Sequence, residues 1–445
     1  MPNDKPFFSI IVPTYNQAHY LRGALDSLIA QTDPDWEAVV INDGSTDQTP
    51  EILDAYANRD RRFLIIHKLN GGTASALNEG LKQAKGDWVC WLSSDDMFEP
   101  DKLALHRIWI QTHPETKFYF TYFRFLYEAT GKMDRDHDLW GPLPEPRFQV
   151  LDLFYRNYVN GISICANRKA WLQVGFFDEN AGYAQDYDMW LRLLALFPGV
   201  FIPEWTCISR THELQGMMTF PQRGLYDSAK VAINFLNKHK FEDLFPLMDL
   251  NQPESAKDAL DRAIEIASRL DAFIYALGTH SALILRIMQW IGDMFSSGDS
   301  GLAQELERSF KQCAIENGQK YGDSAFGFLW NAAANQNLSL PLQYQLISHI
   351  DVGITQFWLM NEYQHLLPDL YWYKRESLKK YLEECEKIVI GDHLQYSKTA
   401  VANLYPLTTI VKVRLADKSL SMSPRLFLAR LLRAGRIRLE RIWPK

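Results

Sequence analysis

The sequence predicts an α/β fold with a mostly parallel sheet in its first half, followed by a mostly α-helical region. Short apolar runs alternate with segments of helical period, which is the pattern of parallel strands joined by crossover helices. After Tyr226 the strand-like runs stop and the helical period continues. We therefore expect a sheet-containing domain over residues 1–240, a helical accessory domain over residues 255–422 and a basic amphipathic tail over residues 423–445.

Buried strands are predicted first at four places. Each run is short, apolar and without helical period, and the runs cover residues 7–12, 36–41, 63–66 and 88–92. Because proline has no backbone N–H for a ladder, Pro13 is expected to end the first strand. Helices are expected after each of the first three strands, over residues 21–29, 50–57 and 76–84.

Further elements follow with the same alternation. We expect strands at residues 118–127, 160–166 and 200–203, and helices at residues 103–108, 151–158 and 189–196. Residues 216–224 are predicted to form a lid. In the second half, a helical stretch with an internal break is expected over 256–295, followed by helices at 302–317, 324–336, 342–350 and 374–387. This half contains no recognisable catalytic constellation.

Two adjacent carboxylates, Asp95 and Asp96, come directly after the fourth predicted strand. Ligands of open α/β sheets bind outside the carboxyl ends of the strands, so the pair lies where a site is expected. Adjacent carboxylates repel each other unless a cation lies beside them, and Mg²⁺ or Mn²⁺ bridged to phosphate oxygens meets that need. A bare Asp-Asp pair is more often a solvated turn, but the motifs upstream favour the site.

Composition restricts the class of protein. The net charge of -7 argues against a general nucleic-acid binder. The five cysteines are far apart, odd in number and without metal-ligand spacing, which is typical of reduced thiols in the cytoplasm. The first residues lack the apolar segment of a signal peptide. Residues 276–291 are apolar but are interrupted by His280 and Arg286, which favours a buried helix over a membrane span.

A series of motifs resembles family 2 glycosyltransferases. In order they are SIIVPTYN (9–16), VINDGSTD (40–47), GDWV (86–89), SDD (94–96), VGFFD (174–178), QDYDMWLR (185–192) and SRTH (209–212). One such motif would be weak, but their order and their places at strand ends are specific. The resemblance implies an inverting enzyme of the GT-A fold, with a Rossmann-like sheet, that takes a sugar from a UDP- or dTDP-sugar.

The resemblance also implies a donor site. Its residues would be Pro13, Thr14, Tyr15, Asn16, Asp43, Thr73, Asp95 and Arg210. Tyr15 would offer a flat face to the base, and Asp43 would accept a hydrogen bond from uracil or thymine. Residues 70–73 would wall the nucleotide, with a plain turn as the alternative. Leu77 stands where family members often carry arginine, which removes one contact to base or phosphate.

For the metal, the resemblance implies Asp96 as the ligand of Mn²⁺ or Mg²⁺ and Asp95 as its partner nearer the ribose. The choice between these two carboxylates stays open. His212 would be a further ligand, with a structural histidine as the alternative. Family members commonly have an acidic residue at the position of Ser93.

Asp186 is the candidate general base. An inverting transfer needs a base opposite the leaving nucleotide, and in the family the second residue of a Glu-Asp pair has this role. The first residue of that pair is Gln185 here. Asp188 is the alternative base, and one of the two aspartates is expected to stabilise the positive end of the helix that follows.

Several questions stay open at this stage. The acceptor is expected to be a glycan or a lipid-linked oligosaccharide. The protein is expected in the cytoplasm, with the inner face of the membrane as a second place where it would act. Residues 424–444 form a basic amphipathic pattern that would contact an anionic membrane or pack on the helical region. Homo-oligomerisation is left open.

The rival functions are a nucleotidyltransferase, which would need a glycine-rich basic loop after the first strand, and a sugar-nucleotide-binding scaffold on a degenerate transferase fold.

Overall fold

The computed structural model describes residues 5–135, 143–212, 221–270, 277–297 and 300–321. The chain divides into two compact units, residues 1–310 and residues 311–445. The first unit contains the sheet together with helices that the sequence analysis assigned to a separate accessory domain. Of the second unit, the structure describes residues 311–321, which are helical.

Within the described residues, nine strands form one mixed sheet. They are β1 (Phe8–Thr14), β2 (Trp36–Asn42), β3 (Phe63–His67), β4 (Trp88–Trp91), β5 (Met97–Phe98), β6 (Phe118–Tyr127), β7 (Lys132–Arg135), β8 (Cys165–Asn167) and β9 (Val200–Thr211). Their order is β3-β2-β1-β4-β8-β6-β9-β5, and β7 pairs with β6.

The sheet is parallel in its N-terminal part and mixed beyond it. The pairs β1–β2, β2–β3, β1–β4 and β6–β9 are parallel, and the other four pairs described are antiparallel. Because β8 is antiparallel to both β4 and β6, strands β6 and β9 run in the same direction as β1–β4. All their carboxyl ends therefore lie at one edge of the sheet.

Helices alternate with the strands and then continue alone. They are α1 (Leu21–Ile29), α2 (Thr49–Arg59), α3 (Thr73–Gln83), α4 (Lys102–Thr112), α5 (Gln149–Leu153), α6 (Arg168–Val174), α7 (Gln185–Leu196), α8 (Pro221–Lys238), α9 (Pro253–Leu270), α10 (Leu277–Ser297) and α11 (Ser300–Tyr321). The predicted fold class, a GT-A α/β domain followed by helices, is confirmed. Helix α10 contains residues 277–291 of the apolar stretch, and most of the described side chains there are buried, as expected.

Strands β1, β2 and β4 are largely apolar on both faces because helices cover both faces of this part of the sheet. Phe8, Ile10 and Val12 of β1 face the core shared with α1. Ile11 points the other way, towards α3, where a Cβ on Gly80 would lie 2.3 Å from the Ile11 side chain. Only glycine therefore allows α3 to approach the sheet this closely.

The first strand does not end at Pro13, as the sequence analysis expected, but continues to Thr14. The amide of Leu92 donates to the carbonyl of Ile11, so the backbone polar groups of Ile11 face β4. The backbone nitrogen of Pro13, two residues later, faces the same side. Strand β4 ends at Trp91, opposite Ile11. The missing N–H of Pro13 therefore has no ladder to interrupt, and β1 stays paired with β2 through Thr14.

Some predictions fall on residues outside the described part of the chain. These are the helices 324–336, 342–350 and 374–387, the tail 424–444 and residues 216–220 of the predicted lid. The last residues of that lid belong to α8. Among the described helices, none combines the length and the apolar character needed to cross a lipid bilayer.

Candidate active site

The predicted donor residues gather at the edge where the parallel strands end. The amide of Asp43 donates to the carbonyl of Thr14 (2.9 Å), so the turns after β1 and β2 are held side by side. Tyr15 follows Thr14 directly, and 48% of its surface is exposed. Thr73, the first residue of α3, is exposed at the same edge.

Asp43 is buried and already accepts three hydrogen-bond donors. Its Oδ1 lies 2.5 Å from Nζ of Lys68 and 3.0 Å from the amide of Gly71, and its Oδ2 lies 2.8 Å from the amide of Gly72. Gly72 has a φ of 86°, which favours glycine at the start of α3. Asp43 therefore shapes the loop between β3 and α3 as well as standing at the site. No sequence pattern predicts this second role.

Asn16 and Asp47 join the first two loops. The Asn16 amide donates to Oγ of Ser45 (2.9 Å), and its side-chain oxygen accepts from the amide of Thr46 (2.8 Å). Asp47 accepts from the amides of Ala18 and Thr49, both at 3.0 Å, as expected for a turn carboxylate. These contacts hold the backbone on which Tyr15 is displayed.

Asp95, Asp96, Arg210 and His212 come together where β4 and β9 end. Nε2 of His212 lies 3.0 Å from Oδ2 of Asp95, and the Arg210 amide donates to Oδ1 of Asp96 (2.7 Å). Nε of Arg210 donates to the Asp95 carbonyl (3.0 Å). Burial, followed by the charge of Asp95, raises the pKa of the Asp96 carboxyl well above its usual value. A cation at this point would relieve that repulsion.

Two residues that the sequence analysis missed support this cluster. The Tyr20 ring lies between the His212 ring, with centroids 4.4 Å apart, and the Arg210 guanidinium, 5.1 Å from the Tyr20 centroid. Glu128 follows β6 and pairs with Nη1 of Arg210 at 2.6 Å. Neither residue belongs to a motif, so only the tertiary structure brings them to the site.

Asp186 and Asp188, which sequence reasoning left as alternatives, differ in their surroundings. Asp188 accepts from Arg192 at 2.6 Å, and Arg192 also donates to the carbonyls of Val174 and Phe176. Asp188 is thus part of a structural ion pair. Asp186 is half-buried and accepts from Nδ2 of Asn157 (3.3 Å).

The surroundings of Asp186 change its acidity. Desolvation raises the pKa of the Asp186 carboxyl to about 6, against the opposing effects of the Tyr187 amide and the Asn157 side chain. Such a carboxylate is ionised at neutral pH and still basic enough to accept a proton. Asn157 carries no sequence signal for this role.

The start of α7 is held in place from two sides. Asp227, on α8, accepts from the amide of Tyr183 (3.0 Å), and a Cβ on Gly182 would lie 2.1 Å from its Oδ2. Farther along α7, the Trp190 ring lies 6.5 Å from the Trp91 ring at the end of β4. Asp186 therefore lies one helical turn before Trp190, which packs against β4, the strand that leads to Asp95 and Asp96.

Comparisons with known proteins identify similar sequences and a family. Residues 9–175 match the family described as Glycosyl transferase family 2. An uncharacterised glycosyltransferase of Rickettsia typhi is 35% identical over 216 residues, which cover 47% of this chain and 65% of that protein. This chain therefore matches just under two thirds of that relative's length.

Two further proteins are similar. TuaG of Bacillus subtilis, whose name suggests a glycosyltransferase of teichuronic acid biosynthesis, is 30% identical over 196 residues, covering 44% of this chain and 74% of TuaG. Residues 1–349 of TarS from S. aureus, solved in complex with UDP-GlcNAc, align with a TM-score of 0.48 and 18% identity over 74% of this chain and 90% of that one. From the family match and the coverage of TuaG, the chain belongs to glycosyl transferase family 2.

Proposed function

We propose that the protein is an inverting glycosyltransferase that moves a sugar from a UDP- or dTDP-sugar to a hydroxyl group of a glycan or lipid-linked acceptor. The observation that carries the proposal is the gathering of Asp43, Asp95, Asp96 and Arg210 at one sheet edge. Family membership supports the reaction class, and the separate environment of Asp186 supports a base for it.

The donor would lie along the edge from Tyr15 to Arg210. The exposed Tyr15 ring offers a stacking surface for the base, beside Pro13, Thr14 and Asn16. Asp43 would accept from the ring N–H, and Thr73 would wall the nucleotide. Asp95 would lie nearer the ribose, and Arg210 would face the diphosphate as a fixed positive charge.

The residues present suit a divalent cation that the donor helps to hold. The described residues contain no group of three or more His, Cys, Asp or Glu side chains arranged to bind a metal by themselves. Mg²⁺ and Mn²⁺ commonly use one or two carboxylates and complete their shell with substrate phosphates. Asp96, with Asp95 and His212 beside it, provides oxygen and nitrogen donors and a buried negative charge that needs compensation. When bound, the ion would neutralise charge on the departing diphosphate.

Asp186 would act on the acceptor. Its carboxylate takes the proton of the acceptor hydroxyl as that oxygen forms a bond to the anomeric carbon. The bond between this carbon and the diphosphate breaks, and its electron pair leaves with the nucleotide. Attack from the face opposite the leaving group inverts the anomeric centre.

The pH profile tests the role of Asn157. Activity should rise with pH through the pKa of Asp186, about 6, because only the ionised carboxylate accepts a proton. Asn157 stabilises the charged form, so Asn157→Ala should move the acid limb of the kcat profile to higher pH. An unmoved limb, with wild-type kcat above it, would show that Asn157 does not influence the base.

A panel of nucleotide sugars tests the function as a whole. We expect Mn²⁺-dependent nucleotide release from at least one UDP- or dTDP-sugar, together with thermal stabilisation by that donor. Stabilisation by a donor without release, even with added glycan and lipid-linked acceptors, would indicate a binding scaffold instead. Release of pyrophosphate from a nucleoside triphosphate and a sugar phosphate would indicate a nucleotidyltransferase.

Other expectations remain predictions. They are the cytoplasmic location, homo-oligomerisation, and contact of residues 424–444 with an anionic membrane. Residues 424–444 lie outside the described part of the chain. The proposal of a glycan acceptor is compatible with the name of the Bacillus subtilis relative, which mentions teichuronic acid biosynthesis.

A further inference from the structure

Lys68 reaches from the end of β3 to the end of β2. Its amide donates to the carbonyl of Asn42 (3.0 Å), which continues the pairing of the two strands by one residue. Its Nζ lies 2.5 Å from Oδ1 of Asp43 and 2.8 Å from the carbonyl of Leu69. The side chain is 23% exposed, so its ammonium group is not sealed from the sheet edge.

The hydrogen-bonding capacity of this ion pair is not exhausted. An ammonium group has three hydrogens, and the contacts to Asp43 and Leu69 use two of them. An ionised carboxylate has about four acceptor positions, and Asp43 takes three donors: Lys68 on Oδ1, Gly72 on Oδ2, and the Gly71 amide shared between the two oxygens at 3.0 and 3.2 Å. One hydrogen on Nζ of Lys68 therefore remains for another acceptor, and it lies beside the Asp43 carboxylate, whose Oδ2 keeps an acceptor position next to the Gly72 amide.

The pair lies next to the exposed aromatic ring of the site. The Asp43 amide is bonded to the carbonyl of Thr14, and Tyr15 is the next residue. On α3, Leu77 is 1% exposed and part of the core, so this position offers no charge to the site. Lys68 thus supplies a positive charge at this end of the site that α3 does not supply at position 77.

We propose that Lys68 reads the base of the donor: its ammonium donates to a ring carbonyl while Asp43 accepts from the neighbouring ring N–H. Uracil and thymine have this N–H between two carbonyl groups. In cytosine and adenine the corresponding ring nitrogen is itself an acceptor and would face the Asp43 carboxylate. The inference rests on the proposed function and adds a specificity-determining residue to it.

Calorimetry on the full chain with Mn²⁺ separates base reading from loop support. Two probes are titrated: UDP, and ribose 5-diphosphate, which lacks the base. The dissociation constant of ribose 5-diphosphate divided by that of UDP measures what the base contributes. Lys68→Met, which keeps the apolar stem, should lower this ratio about tenfold or more, since a hydrogen bond from a charged group is lost. Lys68→Arg should restore most of it, and Lys82→Met, an exposed lysine on α3, should leave it unchanged.

The outcomes are distinct. Equal weakening of both ligands by Lys68→Met, or no weakening, would overturn the inference while leaving the proposed function intact. Failure of the wild-type protein to bind either UDP or dTDP would overturn both. If Lys68→Met fails to fold, the wild-type protein decides the matter with 4-thio-UDP and 2-thio-UDP, whose sulfur atoms are poor acceptors. Weaker binding of either one supports carbonyl reading, and UDP-like affinity for both overturns it.

Discussion

Asp186→Asn is expected to reduce turnover by about two to four decades while donor affinity stays close to wild type. Asparagine keeps the shape of the side chain and its contact with Asn157, but it cannot take the acceptor proton. The measurement is kcat for nucleotide release, with UDP binding followed by calorimetry on the same preparation. The acid limb of the pH profile near 6 should also disappear.

Asp188→Asn is the matched control, because Asp188 lies in the same first turn of α7. It should weaken the ion pair with Arg192 and lower the melting temperature, but it should keep the pH profile. Loss of UDP affinity in Asp186→Asn as large as the loss of turnover would make Asp186 a binding residue. A larger loss of kcat in Asp188→Asn than in Asp186→Asn would exchange the two roles.

Asp96→Ala is expected to abolish measurable transfer, and chelation of the wild-type protein should do the same. The substitution removes the buried carboxylate beside Asp95 and Arg210, so the diphosphate would leave without its counter-charge. The readouts are turnover and the effect of Mn²⁺ on UDP affinity, which should be lost in the variant.

The control for this variant is Asp87→Ala. Asp87 lies at the other end of β4, where it pairs with Lys5 at the surface. This control should retain both turnover and the effect of Mn²⁺. Wild-type turnover of Asp96→Ala in EDTA would remove Asp96 and the metal from the mechanism.

The sequence predicted the parts of the fold and site that local chemistry determines. Strands β1 to β4 are apolar on both faces, and polar residues mark their ends, so the positions of Asp43 and Asp95 followed from topology alone. The mixed character of the sheet did not follow. Strand β5 has two residues, too few for a pattern. The strand predicted at 160–166 is only β8, Cys165–Asn167, because Gly161–Ser163 form a 3-10 turn, and β9 continues to Thr211 through polar positions because it pairs with β6.

Residues held by distant contacts were beyond the sequence. The resemblance favoured Asp186 over Asp188, but the difference in their surroundings arises from the partners of Arg192 and from Asn157. Asp227 comes 44 residues after Tyr183, whose amide it accepts, and belongs to no motif. The second role of Asp43, as anchor of the loop before α3, likewise depends on Lys68, Gly71 and Gly72, which follow β3.

The stereochemistry of donor cleavage tests the central claim most directly. Slow hydrolysis of a UDP-α-sugar identified in the panel can be followed by time-resolved proton NMR without knowledge of the acceptor. Inversion with Asp186 as base predicts that the β-anomer of the free sugar appears first, before mutarotation, and that Asp186→Asn suppresses it. First appearance of the α-anomer, or an undiminished rate in Asp186→Asn, would contradict the account.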